Sequence, residues 1–285
     1  MGGVVEFEAP PSGGGVYRRA ALGMLARRAA TGLPDTTLVL REVTVDREHL
    51  GGYNRVCGYP LSDVLPATYP HVLAFGLSMR LMSGDDFPFP VVGLVHVANQ
   101  IEVLRPIGAD ERLEFAVRAV DLREHERGRQ FDVRATACVG DEVVWRGVST
   151  YLRREKGSTR SGTPSERPEP PRATALWRVP RDIGKQYAQV SGDRNPIHTS
   201  RLGARLFGFP RPIAHGMWSK ARCVAALAGR LGDRYRVEVA FKLPILLPAT
   251  VHYSGLADGD GWSIALHDAN SGRPHLTGSV SLLSP

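Results

Sequence analysis

The same order of secondary-structure elements is predicted twice in this chain of 285 residues. Each time a short strand is followed by a short helix, a loop broken by Gly and Pro, an apolar helix and four strand-like runs. The first copy covers residues 36–155 and the second covers 173–285. The linker between them, 156–172, is rich in Pro and has no large apolar residue. A repeated order of this kind indicates an internal duplication.

The two copies share few residues, but those they share are in register. Three aligned pairs have the same residue type: Tyr53 with Tyr187, Val56 with Val190, and Gly58 with Gly192. The turn Arg105-Pro106-Ile107 is echoed by Leu243-Pro244-Ile245. Two such halves can join edge to edge into one sheet, because joining pairs the strand edges that a lone half would expose. The predicted fold class is α+β, with two antiparallel-sheet halves, each wrapped around a central apolar helix.

The first 35 residues precede the duplicated halves. Residues 1–15 are rich in Gly and Pro, and we expect them to be disordered. Val16 to Ala30 has a helical composition, with an apolar stripe and four Arg nearer the other face. Such a helix can lie on a membrane surface. The narrow stripe without Trp or Phe favours docking on the protein's own flank instead.

Composition narrows the classes of protein to consider. The apolar share of 42% and the charged share of 23% are typical of a folded soluble protein. No apolar run approaches the roughly 20 residues that span a bilayer, and the N-terminus lacks the order of a signal peptide. The three scattered Cys residues suit a reducing compartment. We therefore expect a cytoplasmic protein without a membrane span.

The net charge of +7 comes largely from Arg. Excess positive charge favours anionic ligands, including phosphorylated cofactors, although a GC-rich genome gives the same Arg-rich usage. No basic run is interleaved with aromatic residues, as a platform for stacking nucleic-acid bases would require. We expect no nucleic acid among the partners.

The chemically suggestive stretch is the loop in the second copy that begins at Gly192. Pro196 interrupts any continuous helix from Asp193 to His198 and biases Asn195 toward an extended conformation. The loop can therefore bend so that the carboxylate of Asp193 and the imidazole of His198 converge. A carboxylate and an imidazole that share a water form a general acid–base pair. Asn195 between them could orient the pair or bind a substrate carbonyl. Taken alone, Asp193 could equally cap a turn and His198 could be an ordinary core histidine.

A second piece, Ile213-Ala214-His215-Gly216-Met217, opens the apolar helix of the second copy. A helix N-terminus presents unpaired N–H groups, and Gly216 allows a ligand to approach them, as an oxyanion hole requires. His215 either caps the helix or, together with the inward-facing Tyr187, contacts substrate. Metal binding by Asp193, His198 and His215 is disfavoured because no HxH or HExxH spacing supports it. A nucleophilic Ser191 is disfavoured because it lacks the elbow motif.

The run from Tyr187 to His198, YxxVSGDxNPIH, followed by IAHGM at 213–217, resembles the MaoC-like, (R)-specific enoyl-CoA hydratases and (R)-3-hydroxyacyl thioester dehydratases. The resemblance implies a double hotdog fold with a degenerate first half. It implies reversible hydration of trans-2-enoyl thioesters, with Asp193 and His198 holding the water and Asn195 supporting them. The Gly216 amide would polarise the thioester carbonyl. No metal or redox cofactor would be needed.

The first half lacks the chemical residues. Gly58 to Ser62, opposite the active loop, has neither the Asp nor the His. His71, at the start of the apolar helix like His215, is followed by Val72 and not by Gly. The resemblance implies that this silent half has room for a longer acyl tail, which Gly76 and Ser78 would permit. The thioester carrier would be CoA or acyl-carrier protein, and the chain could be a monomer or a homodimer. Non-catalytic binding of an acyl or steroid thioester, or a hotdog thioesterase, is the alternative.

Overall fold

The computed structural model describes residues 2–11, 30–155 and 169–284. The helix predicted at Val16 to Ala30 lies almost wholly outside this part of the chain, as does most of the predicted linker. The described strands are β1 (Gly3–Phe7), β2 (Thr36–Val43), β3 (Leu94–Val103), β4 (Leu113–His125), β5 (Gly128–Val139), β6 (Glu142–Arg154), β7 (Ala175–Val179), β8 (Tyr235–Phe241), β9 (Ala249–Asp258), β10 (Gly261–Asp268) and β11 (Pro274–Leu282). The described helices are α1 (Arg47–Cys57), α2 (Tyr69–Met82), α3 (Ile183–Ser191), α4 (Pro196–Thr199), α5 (Arg201–Leu206) and α6 (Gly216–Ala225).

The described strands form one sheet in the order β1-β2-β4-β5-β6-β3-β8-β11-β10-β9-β7. From β2 to β7 this order is a palindrome of the two copies: β2 corresponds to β7, β4 to β9, β5 to β10, β6 to β11, and β3 to β8. The copies meet where β3 pairs antiparallel with β8, from Ala98 opposite Ala240 to Val103 opposite Tyr235. The prediction that two halves join edge to edge into one sheet is confirmed.

Strand β1 was not predicted, because its surroundings are rich in Gly and Pro. It pairs parallel with β2, with Gly3 opposite Thr36 and Phe7 opposite Leu40. Val4 remains 62% exposed, so backbone pairing rather than burial holds the strand. An ion pair of 2.7 Å between Glu6 and Arg41 reinforces it. The expectation of disorder is therefore wrong for these residues: a segment too short to make its own core can still satisfy its N–H groups on an existing edge.

Corresponding turns end the first helix of each copy. Asp46 caps the start of helix α1, since its carboxylate accepts hydrogen bonds from the N–H groups of the first turn. Gly58, with φ of 78°, caps its end. Helix α3 stops at Gly192 with φ of 73°. A positive φ suits Gly because it has no Cβ to clash, and this left-handed cap redirects the chain out of the helix.

The loop that leads into each central helix is held by a corresponding backbone hydrogen bond. Leu65 N–H donates to the Ile107 carbonyl at 2.9 Å, and Ala214 N–H donates to the Ile245 carbonyl at 3.0 Å. The echo between the Arg-Pro-Ile and Leu-Pro-Ile turns thus has a structural counterpart. This register puts Pro66 opposite His215. The sequence comparison of His71 with His215 is therefore wrong: His71 lies one turn further along, inside α2.

A buried lysine joins the two halves behind their seam. Lys220 of α6 is fully buried, and its Nζ lies 2.6 Å from Oδ1 of Asn99, 3.1 Å from the Asn99 carbonyl and 3.0 Å from the Val237 carbonyl. Burial lowers the pKa of Lys220 well below its usual range, and the carboxylate of Glu238 opposes this. Three acceptors match the three N–H bonds of an ammonium, so each N–H of the protonated side chain has a hydrogen-bond partner, which offsets part of the cost of burying it. Asn99 is in β3 and Val237 in β8, so α6 is tied to both halves.

None of the helices in the described part of the chain has the length and apolar character needed to cross a membrane. The longest of them, α2, has 14 residues.

We predict that Lys220→Met destabilises the fold by about 3 kcal/mol, because it removes three buried hydrogen bonds and leaves Oδ1 of Asn99 without the donor that Lys220 supplies. Urea unfolding measures the change in the free energy of unfolding. Lys242→Met is the matched control: Lys242 is exposed, so a change within about 0.5 kcal/mol is expected. Equal effects of the two substitutions would show that the buried ammonium contributes nothing specific.

Candidate active site

The predicted catalytic loop follows the left-handed turn at Gly192. Asn195 has φ of −53° and ψ of 126°, the extended conformation expected before a proline, and Pro196 then begins α4. The loop is therefore not irregular throughout, since it contains the short helices α4 and α5. Pro is favoured at the first helical position because its missing N–H would have no intrahelical acceptor there. This geometry places His198 one turn beyond the bend, where it faces back toward Asp193.

His198 is buried and held by one strong hydrogen bond. Its Nδ1 lies 2.8 Å from the carbonyl oxygen of Ile213. Because a carbonyl only accepts, Nδ1 carries the proton, and in the neutral ring Nε2 keeps a lone pair. Burial lowers the pKa of His198, against the opposing effects of Asp193 and of the Ile213 carbonyl. The ring is therefore neutral near pH 7 and offers Nε2 as a proton acceptor.

His215 packs directly on His198, with ring centroids 3.6 Å apart. Its Nε2 donates to the backbone carbonyl of Asp193 at 3.0 Å and lies 3.8 Å from the Asp193 carboxylate. Burial lowers the pKa of His215 to about 3. The ring is therefore neutral near pH 7, and the contact with the carboxylate is not an ion pair. His215 fixes the backbone of the loop and forms one wall of the site.

The carboxylate of Asp193 is the more accessible member of the group, with 29% of its side chain exposed. Its Oδ1 accepts a hydrogen bond of 3.2 Å from the Asn195 N–H. The side chain of Asn195 in turn accepts from the Ile197 N–H at 3.3 Å, so it caps α4. Asn195 thus supports the loop through its backbone and its cap. Whether it also contacts substrate stays a prediction.

Tyr187 lies beneath this group and is only 2% exposed. Its ring centroid is 4.9 Å from that of His215 and 6.2 Å from that of Tyr53, its counterpart in the first half. With so little accessible surface, Tyr187 acts as packing for His215. Its predicted contact with substrate would require the loop to move.

Gly216 is the first residue of α6, so its N–H has no acceptor within the helix. A Cβ added at Gly216 would lie 3.1 Å from the ring of Phe241, closer than side chains normally pack. The absence of a side chain thus keeps the helix end open at a point where Phe241 already limits the space. This combination suits an oxyanion hole built from a backbone amide.

Asp193, His198 and His215 are near enough to be considered as metal ligands, since one donor atom of each lies within 4.8 Å of the others. One nitrogen of each ring, however, already donates to a backbone carbonyl. The nitrogen of His215 that lies 3.8 Å from the Asp193 carboxylate, Nε2, is the one that already donates, and a protonated ring nitrogen cannot bind a metal. Hydrogen bonding accounts for the arrangement, and the absence of a metal in the working protein stays a prediction.

Three residues of the first half share this site and were missed from the sequence. His71 of α2, His96 of β3 and Tyr151 of β6 are half-buried. Burial lowers the pKa of His71 to about 4 and that of His96 to about 3, while Asp193 partly opposes both shifts. Burial raises the pKa of Tyr151, and Asp193 raises it further. The sequence did indicate two of them, since His71 and His96 each stand among apolar residues, one in a predicted helix and the other in a predicted strand.

Comparisons with known proteins agree with this fold. A family model described as the MaoC like domain matches residues 160–260. The 3-hydroxyacyl-thioester dehydratase X of Mycobacterium tuberculosis is 40% identical over 279 residues, which cover 95% of this chain and 98% of that protein. The crystal structure of HtdX from the same organism superposes with a TM-score of 0.78 at 36% identity, over 87% of this chain and 100% of the other.

A further crystal structure from M. tuberculosis, of a conserved hypothetical protein described as a double hotdog, gives a TM-score of 0.50 at 12% identity. It covers 86% of this chain and 95% of the other, and at that identity the likeness shows the fold alone. The predicted double hotdog is thereby confirmed. The fold defines a double hotdog protein, and one of its two halves carries the loop with Asp193 and His198. The chain belongs to the MaoC-like dehydratase family.

The buried histidines predict that stability falls with acidity. His71, His96 and His215 have pKa values near 4, 3 and 3 in the folded chain, but about 6.5 when unfolded. Below about pH 6.5 the unfolded chain therefore binds protons that the folded chain does not, and each ring costs about 2 kcal/mol of stability at pH 5. That loss is absent above about pH 6.5.

Urea unfolding of wild type and His96→Phe at pH 7 and pH 5 isolates the contribution of the His96 ring. The effect of pH on the other titrating groups is shared by both proteins, so it cancels when their changes in unfolding free energy are subtracted. Relative to wild type, His96→Phe should gain about 2 kcal/mol between the two pH values. An unchanged difference would mean that His96 titrates normally in the folded protein.

Proposed function

We propose that this protein catalyses the reversible hydration of trans-2-enoyl thioesters to (R)-3-hydroxyacyl thioesters. The observation that carries the proposal is the convergence of the Asp193 carboxylate with the Nε2 lone pair of His198, beside the unpaired N–H at the start of α6. Membership of the MaoC-like family, and the activity named for the relative 3-hydroxyacyl-thioester dehydratase X, support it.

Asp193 and His198 would share the work on one water molecule. Because Nδ1 of His198 is committed to the Ile213 carbonyl, Nε2 can only accept a proton from the water that attacks C3. The Asp193 carboxylate then takes that proton over from the imidazolium and delivers it to C2 on the same face of the substrate, so that both groups return to their starting forms. In the dehydration direction the two roles are exchanged. Burial of His198 favours its neutral form, which is the form that this assignment needs.

The Gly216 N–H would bind the thioester carbonyl oxygen. Negative charge develops on this oxygen as C2 gains enolate character, and an N–H at a helix N-terminus stabilises it without having to reorganise. His215 is the last extended residue before the helix, with ψ of 138°, and Gly216 follows it as the first helical residue. The same backbone therefore positions the stacked imidazole and the oxyanion donor.

The first half cannot perform the same chemistry. Tyr59 stands where the second half has Asp193, one residue after the corresponding glycine, and its hydroxyl bonds Thr68 at 3.1 Å. That contact is internal to the half, and burial raises the pKa of Tyr59 well above its usual range. A neutral, bonded phenol cannot act as the acid–base group, so we assign one active site to each chain.

The carrier of the thioester is proposed to be CoA or acyl-carrier protein, both of which bring phosphate. A cavity of about 900 Å³ beside the turn after β8 is lined by three exposed arginines, Arg178, Arg211 and Arg273. None of the three forms an ion pair within the described part of the chain. Asp193 and His198 do not line this cavity, so it is not the reaction site. Its charge suits the phosphates of the carrier.

We predict that purified protein hydrates crotonyl-CoA and that Asp193→Asn and His198→Gln each reduce kcat by at least about 100-fold, because each removes one proton-transfer group. Loss of enoyl absorbance measures the rate, and chiral analysis of the product should show the (R) alcohol. Asp182→Asn and His252→Gln are matched controls outside the site and should keep full activity. Normal turnover in either loop variant would disprove the mechanism.

Gly216→Pro tests the oxyanion donor while sparing the helix. Proline is tolerated at the first helical position, and the ψ of 138° at His215 suits a following proline. Gly216→Ala is the control, because it adds a comparable clash with Phe241 but keeps the N–H. We predict that kcat of Gly216→Pro falls about 100- to 1,000-fold below that of Gly216→Ala. Equal rates in the two variants would rule out this amide as the donor.

A further inference from the structure

Three polar rings of the silent half form one group near Asp193. The ring centroids of His71 and His96 are 6.4 Å apart, and those of His96 and Tyr151 are 4.8 Å apart. All three groups respond to the charge of Asp193, which places them within its field. We call His71, His96 and Tyr151 the polar wall. It takes no part in the proton transfers described above.

The polar wall is adjacent to the proposed oxyanion corner. Phe241 lies against Gly216 and its ring centroid is 5.0 Å from that of His96. On the other side, the position where Gly192 would carry a Cβ is 3.8 Å from the ring of Phe75 in α2. A substrate held at Gly216 and Asp193 therefore faces the polar wall between two aromatic rings.

Behind the polar wall lies the protein interior rather than solvent. Tyr151 contacts Phe131 at 5.6 Å between centroids, and Phe131 is completely buried against Phe87 and Phe89. The phosphate-bearing carrier must reach solvent, so it cannot occupy a closed end. The part of the substrate that points toward the polar wall is the acyl tail.

One atom of the polar wall has an unmet hydrogen-bonding capacity. Nε2 of His96 is buried and has no partner among the described residues. The Ala98 carbonyl opposes the lowering of the His96 pKa by burial, and a carbonyl favours a proton on the ring nitrogen that faces it. Nε2 has no such partner in the described part of the chain, so Nε2 is left as the acceptor. A buried acceptor without a donor incurs the full desolvation cost. A purely apolar tail would leave that cost in place, whereas a tail with a hydroxyl group would remove it.

We propose that the preferred substrates carry a hydroxyl group on the acyl tail, beyond C3, which donates a hydrogen bond to Nε2 of His96 beside the phenol of Tyr151. This inference rests on the proposed hydration of enoyl thioesters and assigns His96 and Tyr151 as specificity-determining residues. A donor is required, because Nε2 only accepts.

The test is a series of trans-2-enoyl-CoA substrates of increasing chain length, each made with a terminal methyl group, a terminal hydroxyl or a terminal methyl ether. At the length that reaches His96, kcat/KM for the hydroxyl substrate should exceed that for the other two by about tenfold. The methyl ether has an oxygen but no donor, so it separates donation from mere polarity.

His96→Phe and Tyr151→Phe complete the design. His96→Phe should abolish the preference for hydroxyl and raise kcat/KM for the methyl-terminated substrate, while Tyr151→Phe preserves ring volume and should weaken the preference in part. His252→Phe, on β9 and away from the wall, should leave the preference as in wild type. The melting temperature of each variant shows whether it has folded.

If wild type hydrates crotonyl-CoA but shows no preference for hydroxyl at any length, this inference fails and the proposed function stands. The inference also fails, again without touching the proposed function, if the preference survives His96→Phe in folded protein. If no enoyl thioester is hydrated at all, the proposed function itself fails.

Discussion

The antiparallel pairing of β3 with β8 is the contact on which the rest of the structure depends. It turns two half-sheets into one, and Lys220 ties α6 to a strand of each half directly behind it. A buried ammonium tolerates only a narrow range of positions, because all three of its N–H bonds must find acceptors at once. The N-terminus of α6 carries Gly216, so the seam also fixes the proposed oxyanion corner relative to the silent half.

Duplication explains how one fold serves two tasks. Gly58 and Gly192 end corresponding helices with the same left-handed turn, so the loop that follows leaves each half in the same way. In the second half that loop presents Asp193 to the interior. In the first half it presents Tyr59, which bonds Thr68 within its own half. Without the acid–base pair, the interior of the first half is available for the role that we propose for the polar wall.

Features set by neighbouring residues could be predicted from the sequence. Pro196 limits the conformation of Asn195 whatever the rest of the chain does, and this is why the convergence of Asp193 and His198 could be anticipated. The strands of both halves were anticipated for a similar reason, since apolar alternation is a local pattern. Strand β1 could not be, because its five residues are stable only on an edge supplied by Thr36–Val43.

The polar interior could not be predicted, because it depends on partners distant in sequence. Lys220 lies in a helix that was predicted to be apolar, and its acceptor Asn99 is 121 residues away. His71 and His96 look like isolated polar residues until the fold places them before Asp193. Periodicity reports which face of an element is buried, but not whether a polar group on that face will find a partner. In this chain, therefore, the reaction can be argued from one loop, whereas the choice of substrate can be argued only from the assembled halves.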